Sequence, residues 1–280
     1  MKNFLFLATA CLTILFSACA GEKAYDPAVQ PVQKKWRSYF PGRIDFVDKA
    51  AHTKGSDIYR HIIPDPDSYI TENALRVLQT LYFSPEDSIP PVKVIHYTLE
   101  DYEGVSAKSG GNGDVSIVYS TRWIEKSFGA GDTAKLDYET RGVLYHELTH
   151  AFQLEPQGCG TYGDGGQYWA FIEGMADAVR IANGCFGPQD RPKGGNYLSG
   201  YRITGFFLYW LNQTKDEEFL RKFNRTALDV IPWSFEAAFK HIFGEAEEYH
   251  IDALWKEYMA EMGDTTEPED KPLQAETVRR

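Results

Sequence analysis

Leu144-Tyr145-His146-Glu147-Leu148-Thr149-His150 decides the reading of this chain, because two histidines stand four positions apart with a glutamate directly after the first. On a helix, residues i and i+4 lie one turn apart on the same face, so both imidazoles can reach one ion. Glu147 projects from the adjacent position, beside the ion rather than beneath it, where it can take a proton from an activated water. The flanks favour a helix. Asp137 suits an N-cap, Glu139 suits the positive end, and Val143, Leu144, Leu148 and Phe152 form an apolar stripe. H-E-x-x-H is a short pattern, however, and histidines on helices also serve by packing or by pairing with carboxylates.

A second segment supplies what the first lacks. Phe171-Ile172-Glu173-Gly174-Met175-Ala176-Asp177 lies in a stretch, Tyr168 to Asn183, that reads as a return helix. Ile172, Met175, Ala176 and Val179 are its apolar stripe, and Gly184 is its stop. Glu173 follows His150 by 23 residues (173 − 150), room for a loop before the helix returns. As a third ligand it completes the two-His-one-Glu set of catalytic zinc sites, which leaves a fourth position for water. Asp177, one turn further on, can accept a hydrogen bond from the outer nitrogen of a ligating histidine and so fix its tautomer.

Upstream, Arg43 to Val47 and Val92 to Tyr97 alternate with period two, as half-buried strands do. Between them, Thr71 to Phe83 has helical spacing, with Thr71 placed to cap it. Ser109 to Asp114 is rich in turn residues and reads as a bend leading into a third strand, Val115 to Tyr119. From Thr133 to about Met262 the pattern is helical. No linker interrupts this course, so residues 36–262 are expected to form one α+β domain with two lobes, the C-terminal one mostly helical. With 280 residues, 43% of them hydrophobic and 14% aromatic, the chain can bury a full core without staples. The formal charge of −11 offers no basic face to phosphate, so nucleic acid is not an expected partner.

The ends read differently. Met1-Lys2-Asn3 and the apolar run Phe4 to Phe16 have the order of a signal peptide, too short to span a bilayer. Residues 1–18 are therefore expected to be a leader. Ser17-Ala18-Cys19 resembles the lipobox of a bacterial lipoprotein, in which Cys19 becomes the lipidated N-terminus. Cleavage after Ala20 is the alternative, since Ala18-Cys19-Ala20 also fits a plain signal-peptidase site. Both place the mature protein outside the cytoplasm, the first with a lipid anchor in a membrane. Residues 19–35 read as a tether and 263–280 as a disordered tail. Export leaves Cys159 and Cys185 as an even pair in an oxidising compartment, for which a disulfide is the default and two buried thiols the alternative.

Taken together, Gly142 to Gln153 and Phe171 to Arg180 resemble the plant basic secretory protein family, which also occurs in bacteria and is classed with zinc peptidases of the zincin kind. The resemblance extends to Gly200-Tyr201-Arg202-Ile203-Thr204-Gly205 and covers roughly residues 40 to 230. It implies a small twisted sheet whose edge strand, here Asp114 to Tyr119, runs above the active-site helix and pairs with an extended peptide. Likeness to the gluzincin subgroup favours Glu173 over Asp177 as third ligand. The implied activity is zinc-dependent peptide hydrolysis with Glu147 as general base and Tyr201 as a candidate oxyanion donor. Two other functions fit the same residues: a non-catalytic surface-binding lipoprotein on this scaffold, and an amide hydrolase acting on a non-protein substrate.

Overall fold

The computed structural model describes residues 29–129 and 131–264. Strands and helices are mixed in the first half: β1 (Arg43–Asp48), α1 (Lys54–Ile62), α2 (Pro66–Leu81), β2 (Val94–Glu100), β3 (Ser106–Gly111), β4 (Asp114–Ser120) and α3 (Thr121–Phe128). The rest is helical: α4 (Thr133–Phe152), α5 (Gly166–Ala182), α6 (Tyr201–Thr214), α7 (Phe219–Asp229), α8 (Phe235–Phe243) and α9 (Ile251–Glu261). The class is α+β, as expected. No helix among the described residues is long and apolar enough to cross a membrane.

The three expected strands form, and a fourth joins them. The sheet order is β1-β2-β4-β3, with β1, β2 and β4 parallel and β3 antiparallel to β4. Asp114 to Tyr119 is therefore not the edge strand: β4 lies inside the sheet and β3 holds the edge. The stretch expected as a bend is instead the end of β3 followed by a two-residue turn. Asn112 and Gly113 both take positive φ (55° and 85°), the backbone that tight hairpin turns demand. Composition hid the strand, because Ser106 to Gly111 contains no β-branched or aromatic residue.

Alternate residues of the inner strands, Ile95, Tyr97 and Leu99 on β2 and Val115, Ile117 and Tyr119 on β4, are buried. Tyr59 of α1 stacks on Tyr97 and meets Tyr119 edge-on, and the same core takes in Leu78 of α2 and Leu144 and Leu148 of α4. A second, aromatic region of the core joins Phe207, Phe219, Phe223, Trp233, Phe239 and Tyr258 from the last four helices and the loop before α8. The helices start earlier than their apolar stripes suggest. Asp65, not Thr71, caps α2, with Pro66 opening it, and Asp132, not Asp137, caps α4. Asp137 instead accepts the Tyr69 hydroxyl and pairs with Arg141.

Helices α4 and α5 run antiparallel, since Glu139 near the start of α4 meets Arg180 while His150 near its end meets Glu173. Helix α6 lies close against α5. A Cβ on Gly205 would stand 2.8 Å from the Cβ of Asp177 and 3.0 Å from the backbone nitrogen of Ala178, so only glycine permits this approach.

The expected disulfide is corrected: Cys159 and Cys185 are both free thiols. Cys159 precedes α5 and Cys185 follows it, so the 17 residues of that helix, roughly 25 Å long, lie between them. A disulfide needs Cα atoms about 4.4–6.8 Å apart. Cys185 is instead buried near Arg180 and Arg141, and burial pushes its thiol up to about 12.

The leader 1–18, Cys19 and the tail from 265 on lie outside the described residues. The described end of the expected tether is tied to the domain. The Gln33 amide donates to Gln79 of α2 at 2.9 Å, Arg76 donates to the Gln30 carbonyl at 2.8 Å, and Val32 is buried.

Candidate metal centre

The last turns of α4 carry His146, Glu147 and His150, held by burial of Leu144, Tyr145 and Leu148 on the opposite side of the helix. The helix ends where Gln153 turns extended, and the buried Tyr82 hydroxyl donates to the carbonyl of Phe152 there. Across from these turns, α5 presents Glu173 and Asp177 from consecutive turns of one face.

His146 Nε2 lies 3.2 Å from Glu173 Oε2, His150 Nε2 lies 3.7 Å from the same oxygen, and the two Nε2 atoms are 3.1 Å apart. These three are the candidate ligand set, their atoms all within 4.8 Å of one another. Asp177 Oδ1 lies 2.8 Å from His146 Nδ1. It accepts a hydrogen bond from Nδ1–H, the tautomer that leaves the Nε2 lone pair aimed at the cluster. The Gln153 amide sits 2.9 Å from His150 Nδ1, while its Oε1 is buried without a partner. Turning that amide over sets Oε1 against an Nδ1 proton and bares His150 Nε2 as well. Glu173 Oε2 is itself buried with no hydrogen bond of adequate geometry. Three potential ligand atoms thus converge on one point, an arrangement that suits a divalent cation.

Charge in the cluster is strongly perturbed. Burial works against charging His146, but its hydrogen bond to Asp177 and the nearby Glu173 carboxylate outweigh it and hold the imidazole at about 10. Burial likewise works to raise the Glu173 carboxyl, and the adjacent His146 and His150 imidazoles pull it well below the usual carboxylate range. The proton that these neighbours favour on His146 is one that a bound ion would displace.

Glu147 is 7% exposed and lines a cleft of about 470 Å³ together with His146, His150 and Glu173. Ser106, Ala107 and Lys108 of β3 form one wall, which places the sheet edge beside the cluster. Tyr201 opens α6 at φ 41° and stacks on the His146 ring, with centroids 6.0 Å apart and planes 13° from parallel. Two residues in the site were not anticipated. Gln153 had a signal, standing three positions after His150. Tyr162, whose hydroxyl donates to Glu173 Oε1 at 2.7 Å, had none, because a glycine-rich loop with no periodicity carries it there.

A family model described as peptidase of plants and bacteria matches residues 42–258, which include the whole sheet and both helices of the cluster. No curated protein and no solved structure matches the chain.

Proposed function

The chain belongs to the peptidases of plants and bacteria, the basic secretory protein family, and on that premise we propose that it is an exported, zinc-dependent peptidase with Glu147 as its general base. The observation that carries this reading is the convergence of His146 Nε2, His150 Nε2 and the unpartnered Glu173 Oε2 beside a buried carboxylate that is not itself a ligand. Two imidazoles and one carboxylate suit zinc, and Glu147 next to the first histidine is the residue a purely structural site would not need.

Zinc bound by His146, His150 and Glu173 would supply Lewis acidity, polarising the scissile carbonyl and lowering the pKa of an attacking water to about 7. The remaining steps fall to the chain itself. An extended peptide pairs with the free edge of β3, which brings its backbone alongside the cleft wall at Ser106 to Lys108. Glu147 takes the proton of the attacking water on its carboxylate and gives it to the departing amine. Asp177 keeps His146 in the tautomer that offers Nε2, and the hydroxyl of Tyr201, at the cleft rim, is the donor for the developing oxyanion. Export by the 1–18 leader and anchoring through Cys19 belong to the same proposal, which puts peptide substrates outside the cytoplasm within reach.

Glu147→Gln tests the reading because it keeps size and helix while removing the base. Hydrolysis of a peptide that the wild type cleaves should fall at least about 100-fold, with bound zinc unchanged. Undiminished hydrolysis would remove Glu147 from the mechanism.

A further inference from the structure

Each of the three candidate ligands has an outer hydrogen-bond partner, and the partners come from different places. Asp177 serves His146 from α5, and Gln153 serves His150 from the end of α4, so both are set by helix geometry. Glu173 is served by Tyr162, which lies on neither helix but in the 3-10 turn Tyr162–Asp164 between them. The contact is specific to one oxygen. Oε1 accepts the Tyr162 hydroxyl at 2.7 Å, while Oε2 is left bare and turned toward the two imidazoles. A carboxylate free to rotate about its last bond would present either oxygen or both to an ion; one capped on Oε1 presents Oε2 alone.

The surroundings argue that this contact is made for its own sake. Tyr162 is 50% exposed, so burial of its ring does not fix its position. Its loop holds five glycines between residues 158 and 166, and at Gly163, Gly165 and Gly166 a Cβ would meet nothing within 4 Å. At those glycines nothing packs the segment against Glu173, and it is the Tyr162 hydroxyl, with Tyr201 beside it, that reaches the carboxylate.

We propose that Tyr162 is a positioning residue for the metal centre, holding Glu173 through Oε1 so that Oε2 faces the ion. This rests on the metal reading above and adds to it a residue that acts through a ligand without touching the ion. Loss of an outer partner of this kind typically lowers metal affinity about 10- to 100-fold.

The test is zinc affinity by chelator competition on the full chain, which needs no substrate. Tyr162→Phe keeps the ring and removes only the hydroxyl. Tyr168→Phe is the control, since Tyr168 also lines the cleft and its hydroxyl bonds with Glu155 instead. Tyr162→Phe should bind zinc at least about 10-fold more weakly than wild type, with an unchanged melting temperature for the zinc-free protein, while Tyr168→Phe matches wild type. Equal affinity in Tyr162→Phe and wild type overturns the proposal, as does equal weakening in both variants. A wild type that binds no zinc fails earlier, at the metal reading, and takes the role of Tyr162 with it.

Discussion

Near the start of α4, Glu139 meets Arg180 at 2.9 Å and Asp137 meets Arg141 at 2.9 Å. Near its end, Glu147, Glu173 and Asp177 are buried together, and no lysine or arginine pairs with any of them among the described residues. The same two antiparallel helices build both ends. At the first, each carboxylate is matched by a guanidinium, and Arg180 also lies over the Phe186 ring at 3.9 Å. At the second, carboxylates face imidazoles and an open cleft. Buried charge is costly unless compensated, so the first end is complete as it stands, whereas the second relies on imidazoles and leaves a place for a cation. On the proposed metal reading, stability and function are divided along one helix pair.

Arg180→Met breaks the first end and should have the largest effect of its kind. It leaves Glu139 without its partner, and because that carboxylate is partly solvated, a loss of about 2 kcal/mol is expected in urea unfolding, with bound zinc unaffected. The same measurement on zinc-free Glu147→Gln should show no loss, since neutralising an uncompensated carboxylate removes no pair. Zinc loss in Arg180→Met would mean that the two ends are not separate.

The smallest effect expected is none. Cys185 sits at the arginine end and Cys159 beyond the cleft end, so a mild reductant should leave unfolding stability within about 0.5 kcal/mol of the untreated protein. A cross-link spanning 26 residues (185 − 159) would instead contribute on the order of 3 kcal/mol, and its loss on reduction would be plain.

The same division marks what the sequence made legible. His146, Glu147, His150, Glu173 and Asp177 are related by spacings of one turn within two helices, and periodicity exposes such spacings directly. Features that depend on contacts between distant segments were not so exposed. Tyr162 reaches Glu173 by a loop path, and His96 is bracketed by Asp45 and Asp114 from the two neighbouring strands, a pairing that register alone creates. Strand β3 was hidden by its small and polar residues, although Asn112-Gly113 was the hairpin signal that could have found it. The disulfide expectation failed for a related reason. Cysteine count and compartment say that two thiols can pair, but only the length of α5 says that these two are held apart. The caps of α2 and α4 were misplaced because apolar stripes begin a turn or more after the helices do.

The central claim is that His146, His150 and Glu173 hold a zinc ion, and elemental analysis tests it most directly. Wild-type protein equilibrated with zinc and freed of excess should carry about one ion per chain, and His146→Ala and His150→Ala, each lacking one of three ligands, should carry almost none. Zinc absent from the wild type, or retained in full by both variants, would contradict the account.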